Sequence, residues 1–162
     1  MVHMAVLSDV DIEQALENNS LGIEPFVRKN LTPNGYDLSV EEVYLRITDI
    51  HIKEGVAIIP PLTWFAISTR EFVTMGPQIT SQLWIRSSYA RKGILASFGK
   101  VDAGFHGTLT FGCFNASDKE VEIPIGDRFC QIVFEHLEQT PKALYQERSG
   151  KYQNQRGVTL QR

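Results

Sequence analysis

The 162-residue sequence predicts a mainly β protein, an antiparallel β-sandwich or distorted jelly-roll-like barrel with one N-terminal helix. Three observations lead there. Only one segment near the N-terminus spaces its apolar residues as a helix does, the runs that follow alternate with a period of two, and Gly, Pro, Asn and charged residues separate those runs. A length of 162 residues is that of one domain with a sizeable core, so residues 1–162 are taken as a single domain.

The helix is LSDVDIEQALENNS, residues 7–20. Ser8 is the expected N-cap, Asp11 stands three positions on to close a capping box, and Leu7 and Ile12 are placed to form a hydrophobic staple. Ile12, Ala15 and Leu16 make the apolar stripe, and Asn18 and Asn19 end the helix. Strands are expected at YDLSV, VYLRI, GVAII, TWFAIS, EFVTM, SQLWI, ILASF, GTLTFGCF, EVEIPI and FCQIVF. Two sheets packed face to face would bury one side of each strand, and the edges such a sandwich exposes invite oligomerisation. No repeat or low-complexity stretch interrupts the pattern. From Ser149 to Arg162 the chain turns polar, a tail that either frays or orders over a ligand.

Composition narrows the function classes. Hydrophobic residues make up 43% and charged residues 22%, as in ordinary globular proteins, and a net charge of −3 argues against a broad face for duplex nucleic acid. No run approaches the roughly 18 apolar residues of a membrane span. Met1 to Ala5 is too short and polar for a signal peptide, so a cytoplasmic address is expected. Cys113 and Cys130 lie in separate strand-like runs and are expected to be a reduced, buried pair.

Two stretches can carry chemistry. In WIRSSYARKG, residues 84–93, a strand runs into Arg86-Ser87-Ser88 and a short helical turn. Serines at a helix start leave backbone N–H groups facing an approaching anion, and Arg86 and Arg91 add fixed positive charge. A phosphate cradle and a capped turn with solvated arginines both fit the local sequence. In GKVDAGFHG, residues 99–107, Asp102 stands in a glycine-flanked loop with Phe105 three positions later. A carboxylate there can orient or deprotonate a water, or simply bond its own turn, and Phe105 can cover the flat face of a sugar.

The usual metal and nucleophile signatures are missing. No H-x-E accompanies a C-x-x-C, which excludes zinc-dependent deamination of a base. His3, His51, His106 and His136 have no ligand spacing, Ser87 has no base beside it in sequence, and G-x-S-x-G is absent.

Taken together, these segments resemble the dCTP deaminase and dUTPase superfamily of trimeric β-proteins, nearly end to end. The resemblance is carried by LSDVDIEQAL, NGYDLSV, IRSSYARKG, VDAGFHG, FGCFN, IGDRFCQIVF and YQERSGKYQNQRG, in that order. RSSxAR, DxGxxG and KYxxQxG are similar to the deaminase branch, whereas FN and GDRxxQ are shared with dUTPases. The resemblance implies that Arg86, Ser87, Ser88 and Arg91 hold a triphosphate, that Asp102 positions a water, and that Phe105 stacks below a deoxyribose. It further places Thr110 and Gly112 at the nucleotide and Gln131 in the phosphate network, with Tyr145, Lys151, Tyr152 and Gln155 closing the tail over the ligand. Sites at the subunit boundaries of a homotrimer are implied as well.

One departure decides between activities. In the deaminases a glutamate ten residues after the DxGxxG aspartate shuttles protons, and here that position is Gly112, with no other acid between Asp102 and Asp118. Losing a positioned general acid–base costs on the order of 10² to 10⁴ in rate, so deamination is expected to be very poor. Hydrolysis at the α-phosphate needs only an aligned water, a proton acceptor and cations around the leaving pyrophosphate. The expected activity is therefore dUTP to dUMP and pyrophosphate, with Mg2+ held chiefly by the triphosphate and water rather than by a protein metal site. Gly112 also lets backbone groups approach a base edge, or is a packing concession. The glycine-rich C-terminal motif of ordinary dUTPases is replaced by SGKYQNQRG, leaving the role of Arg156 open. The alternatives are a dCTP deaminase or bifunctional enzyme, with His106 as the nearby candidate for the missing acid, and a trimeric nucleotide-binding module without turnover.

Overall fold

The computed structural model of the chain describes residues 5–161, so His3 and the opening residues 1–4 lie outside the described part. Helix α1 (Asp9–Glu17) begins as its sequence requires: the Ser8 hydroxyl accepts from the Asp11 N–H at 3.2 Å, and the Asp11 carboxylate accepts from the Ser8 N–H at 2.9 Å. Such a cap contributes about 1 kcal/mol. The bonds from the Ser8 backbone and hydroxyl hold the Asp11 carboxyl below its usual range. Leu7, Ile12 and Ala15 are buried, and Asn18 and Asn19 close the helix, Asn19 at φ 60°.

Fourteen strands follow in chain order: β1 (Leu21–Glu24), β2 (Leu31–Thr32), β3 (Gly35–Leu45), β4 (Ile50–Ile52), β5 (Val56–Ile59), β6 (Trp64–Thr69) and β7 (Phe72–Met75), then β8 (Ile79–Ile85), β9 (Ile94–Ala96), β10 (Lys100–Val101), β11 (His106–Gly107), β12 (Thr110–Asn115), β13 (Val121–Pro124) and β14 (Arg128–His136). A one-turn helix, α2 (Ser87–Ala90), stands between β8 and β9. The main sheet has nine strands, with β10-β8-β14-β3-β6-β12-β9 in sequence across it and β2 and β4 also paired to β3. A three-stranded sheet β1-β7-β11 and the pair β13-β5 complete an all-antiparallel architecture.

The expected strands resolve differently in two places. YDLSV and VYLRI are one strand, β3, which stays in register with β6 by bulging at Glu41 between Val40 and Glu42. Two adjacent acids sit in this strand on opposite faces. Glu41 points to solvent and pairs with Arg70 at 2.7 Å, while Glu42 is turned into the protein. GTLTFGCF is instead two strands, β11 and β12, which belong to different sheets.

The inward residues alternate as the period of two demands. In β12, Phe111, Cys113 and Asn115 are buried while Thr110, Gly112 and Phe114 are half-exposed. Tyr36, Phe65, Phe129 and Phe134 are among the largest fully buried side chains, each worth roughly 1.5–3 kcal/mol of burial. Cys113 and Cys130 are free and buried, and burial pushes both thiols up. The polar tail folds back on its own chain: the Asn154 N–H donates to His106 O, the Thr108 N–H to Gln155 O, and the Val158 N–H to the Glu42 carboxylate.

Candidate active site

β10 ends at Val101, and the chain turns at Asp102, whose carbonyl accepts from the Phe105 N–H at 3.1 Å. Gly104 makes this turn at φ +86°, a left-handed conformation that glycine adopts without strain. It also makes room, since a Cβ there would come within 2.7 Å of Leu144 Cβ and 2.8 Å of Gln146 Oε1. The closeness lets the tail's turn at Tyr145–Glu147 dock on the loop, with the Tyr145 N–H donating to Ala103 O at 3.0 Å. The Met75 N–H bonds to Phe105 O at 2.8 Å, and the buried Phe105 ring meets Tyr145 edge-on with centroids 5.3 Å apart.

These contacts enclose a cavity of about 220 Å³ whose walls include Asp102, Phe105, Thr110, Tyr145, Tyr152 and Gln155. The tail wall is tied down at each of its residues. The Tyr152 N–H donates to the Tyr145 hydroxyl at 3.0 Å, Gln155 Nε2 donates to Thr108 O at 2.7 Å, and the Thr110 hydroxyl donates to Gly157 O at 3.1 Å. Asp102 is the single carboxylate lining this cavity, and its side chain is exposed at the rim. Chemically the cavity offers an aromatic floor for a flat ring or sugar and one group able to accept a proton.

Arg86, Ser87, Ser88, Arg91 and Gln131 gather elsewhere. Arg86 caps α2 at its start, Ser87 and Ser88 open the turn, and Arg91 closes it, the last three exposed. Arg86 Nε lies 3.2 Å from the Asp37 carboxylate, which Arg128 approaches at 3.5 Å. Burial raises the Asp37 carboxyl above its usual value, and the two guanidiniums oppose that rise. Gln131 stands opposite Asp37 on β14 and donates to the Thr32 hydroxyl at 2.6 Å. The result is a cationic, outward-facing cluster braced by one buried acid, a surface suited to phosphate.

The two clusters lie at opposite ends of β8. Lys100 and Val101 pair with Gln82 and Ser81, so Asp102 follows beside Thr80, whose hydroxyl donates to Val101 O at 3.1 Å. Arg86 is six residues further along, roughly 20 Å at 3.3 Å per residue.

Three further residues are placed as follows. Lys151 is exposed, with its ammonium 5.5 Å from the Tyr152 ring, and does not line the Asp102 cavity. His106, the candidate for the missing acid, is also outside that lining: its Nδ1 is 2.8 Å from Gln153 Nε2, and its ring lies 6.2 Å from Phe72. Arg156 stacks over Phe72 at 4.1 Å and lines a separate cavity with Lys53 and Arg70.

Gly112 faces outward from β12, under the indole of Trp64. A Cβ at Gly112 would lie 3.1 Å from Trp64 Nε1 and 3.2 Å from its Cζ2, and the Gly112 carbonyl accepts from the Ser97 N–H at 2.8 Å. The Arg46 guanidinium covers the indole, 4.0 Å from its centroid. Trp64 and Arg46 escaped the sequence reading because they lie far along the chain from Gly112, on other strands and loops, and no local pattern marks them. Asp37 left a signal: an acid inside an apolar strand needs a cationic partner.

A curled antiparallel sheet with an N-terminal helix and a tail folded over an acid-bearing cavity defines a dUTPase-like fold. The dCTP deaminase of Agrobacterium tumefaciens shares it, with a TM-score of 0.70 at 17% identity over 82% of this chain and 48% of that one. So does a variant dUTPase of phage phi11 of S. aureus, described as coordinating a structural Mg(II) ion, with a TM-score of 0.57 at 20% identity over 77% of this chain and 95% of that one. The dCTP deaminase-like family model matches residues 6–137, and the chain belongs to that family. Among its relatives, the protein named dCTP deaminase from Pyrococcus horikoshii is 45% identical over 81% of this chain and 83% of its own length. The protein named dCTP deaminase, dUMP-forming, from Aquifex aeolicus is 33% identical over 97% of this chain and 94% of its own.

Proposed function

We propose that the chain is a dUTP diphosphatase, hydrolysing dUTP to dUMP and pyrophosphate. The observation that carries this is the lone carboxylate of the cavity: Asp102 is present, and the indole of Trp64 lies over Gly112 where a second acid would stand. A deaminase needs a group that moves protons at the ring, whereas hydrolysis needs an acceptor only at the attacking water. Asp102 takes the proton of a water that attacks the α-phosphorus, and the bond from that phosphorus to the pyrophosphate oxygen breaks. Phe105 supports the deoxyribose, and the Arg86 and Arg91 guanidiniums with Lys151 hold the charge that gathers on the leaving pyrophosphate.

Asp102 and Arg86 are too far apart in one chain to touch the same α- to γ-phosphate segment, which supports a site completed between subunits of a homotrimer. The donor set fits Mg2+ carried in on the substrate. Among the described residues no cluster of three His, Cys, Asp or Glu could cage a metal, and Mg2+ is commonly held by one or two carboxylates with water and phosphate. When bound, the ion would spread the triphosphate charge, and the exposed Asp102 carboxylate is the protein group nearest in kind to its preferences.

The names of the relatives favour a second reading, dCTP deamination with or without onward formation of dUMP. Chromatography of products from dUTP and dCTP, each with magnesium and with chelator, separates the two. The proposal expects dUMP from dUTP only, dependent on magnesium and lost in Asp102→Asn; uracil nucleotides formed from dCTP would favour the second reading. Binding of dUTP with no product would indicate a nucleotide-binding module.

A further inference from the structure

We infer that Trp64 is a specificity-determining residue, its indole N–H donating to the carbonyl at the 4-position of a pyrimidine base and discriminating uracil from cytosine. This rests on the reading of the chain as a uracil-nucleotide enzyme. The indole edge that carries Nε1 lies against the outward face of β12 at Gly112, close enough that a single Cβ would press on it. Trp64, Arg46, Thr110, Gly112, Tyr152 and Gln155 line one cavity of about 300 Å³. It shares Thr110, Tyr152 and Gln155 with the cavity that holds Asp102 and Phe105, so the two cavities adjoin at these side chains.

Three of the other polar groups there are already engaged. The Thr110 hydroxyl donates to Gly157 O and accepts from the Thr159 N–H, and the Gln155 amide nitrogen is bonded to Thr108 O. The Gly112 carbonyl is taken by Ser97. Trp64 Nε1, by contrast, has no hydrogen-bond partner among the described residues, and the Arg46 guanidinium lies over its ring, 4.0 Å from the centroid. A half-buried indole donor finds an acceptor when a complementary ligand binds. Uracil presents a carbonyl at its 4-position; cytosine presents an amino group, which would leave two donors opposed and desolvated. Glycine at 112 is thereby given a role of its own, because any side chain would displace the indole edge.

Calorimetric binding of dUMP and dCMP to the wild-type chain, Trp64→Phe and Gly112→Ala tests this. Phe keeps an apolar ring beneath Arg46 and removes only the donor edge. The wild-type protein should prefer dUMP, and Trp64→Phe should reduce that preference by roughly tenfold, in line with one net hydrogen bond. Gly112→Ala should reduce it in the same sense, with a changed Trp64 emission in a Trp84→Phe background. An unchanged dUMP to dCMP ratio in Trp64→Phe, equal weakening of both ligands, or no preference in the wild type would overturn the inference. Turnover of dUTP by the wild-type chain, measured in parallel, keeps the two ideas apart. Turnover with an unaltered ratio in Trp64→Phe sinks only the role of Trp64, and a Trp64-dependent preference without turnover sinks only the diphosphatase.

Discussion

The Asp102 cavity and the Arg86 cluster differ in how completely their own chain satisfies them. Around the cavity the tail residues Tyr145, Tyr152 and Gln155 and the strand residue Thr110 all bond to neighbouring groups of the same chain. Around Arg86 the guanidinium is committed to Asp37 and to the Arg128 carbonyl and the Gln131 amide to Thr32, whereas Ser87, Ser88 and Arg91 lie exposed. The first region is a cavity with an aromatic floor whose walls are held by the chain itself. The second presents exposed hydroxyls and a guanidinium to solvent. On the proposed reading, sugar and base fall to the first and phosphates to the second.

The strongest way to break that division is Asp102→Asn. Turnover of dUTP should fall on the order of 10² to 10⁴ while dUMP binding persists, since the variant loses the proton acceptor and keeps the cavity. Assay of kcat alongside dUMP affinity checks both halves of the statement.

Arg86→Ala comes next. Hydrogen bonds to charged groups are worth about 1.5–3 kcal/mol, so dUTP affinity should drop roughly ten- to a hundredfold. Affinity for dUMP should barely move, and Arg128 at 3.5 Å still faces Asp37. An equal loss for dUMP would show that the cradle also serves the sugar side.

A smaller effect is expected from Tyr145→Phe, which removes the acceptor of the Tyr152 N–H. The cost should be about 1–3 kcal/mol and local, seen as faster amide exchange from Lys151 onward with little change around α2.

The smallest test concerns the scaffold beneath the cradle. Glu71 is buried, and that burial raises its carboxyl above the usual value, opposed by the bond at 2.8 Å from the Ser39 N–H. The folded chain therefore holds this proton to higher pH than the unfolded chain does. Its contribution falls as pH climbs from the ordinary carboxyl value through the raised folded value, then stays flat. In Glu71→Gln that decline should vanish from the denaturant midpoint measured across the window.

Much of the fold was legible because its causes are local. Ser8 and Asp11 mark the start of α1 in the sequence alone, and alternation at residues 110–115 marks β12 with its buried Phe111 and Cys113. The joining of YDLSV to VYLRI was not legible: Glu41 and Glu42 read as a turn, and only the pairing with β6 makes them a bulge. The site divides the same way. Asp102, Phe105 and Thr110 lie close in sequence and meet at one cavity, whereas Trp64 reaches Gly112 by strand pairing between β6 and β12, which no short-range pattern encodes. The separation of Arg86 from Asp102 along β8 is likewise a matter of register, invisible in two motifs that sit a few residues apart.

The central claim is a hydrolytic site in which Asp102 of one chain serves phosphates held by Arg86 of another. Mixing Asp102→Asn chains with Arg86→Ala chains by co-refolding, then assaying dUTP hydrolysis with magnesium, tests it most directly. Each variant alone should be nearly inactive, and the mixture should recover a clear fraction of wild-type activity, because some sites then combine an intact Asp102 with an intact Arg86. No recovery from well-mixed chains would contradict a shared site, and absence of dUTP hydrolysis in the wild type would contradict the hydrolytic claim itself.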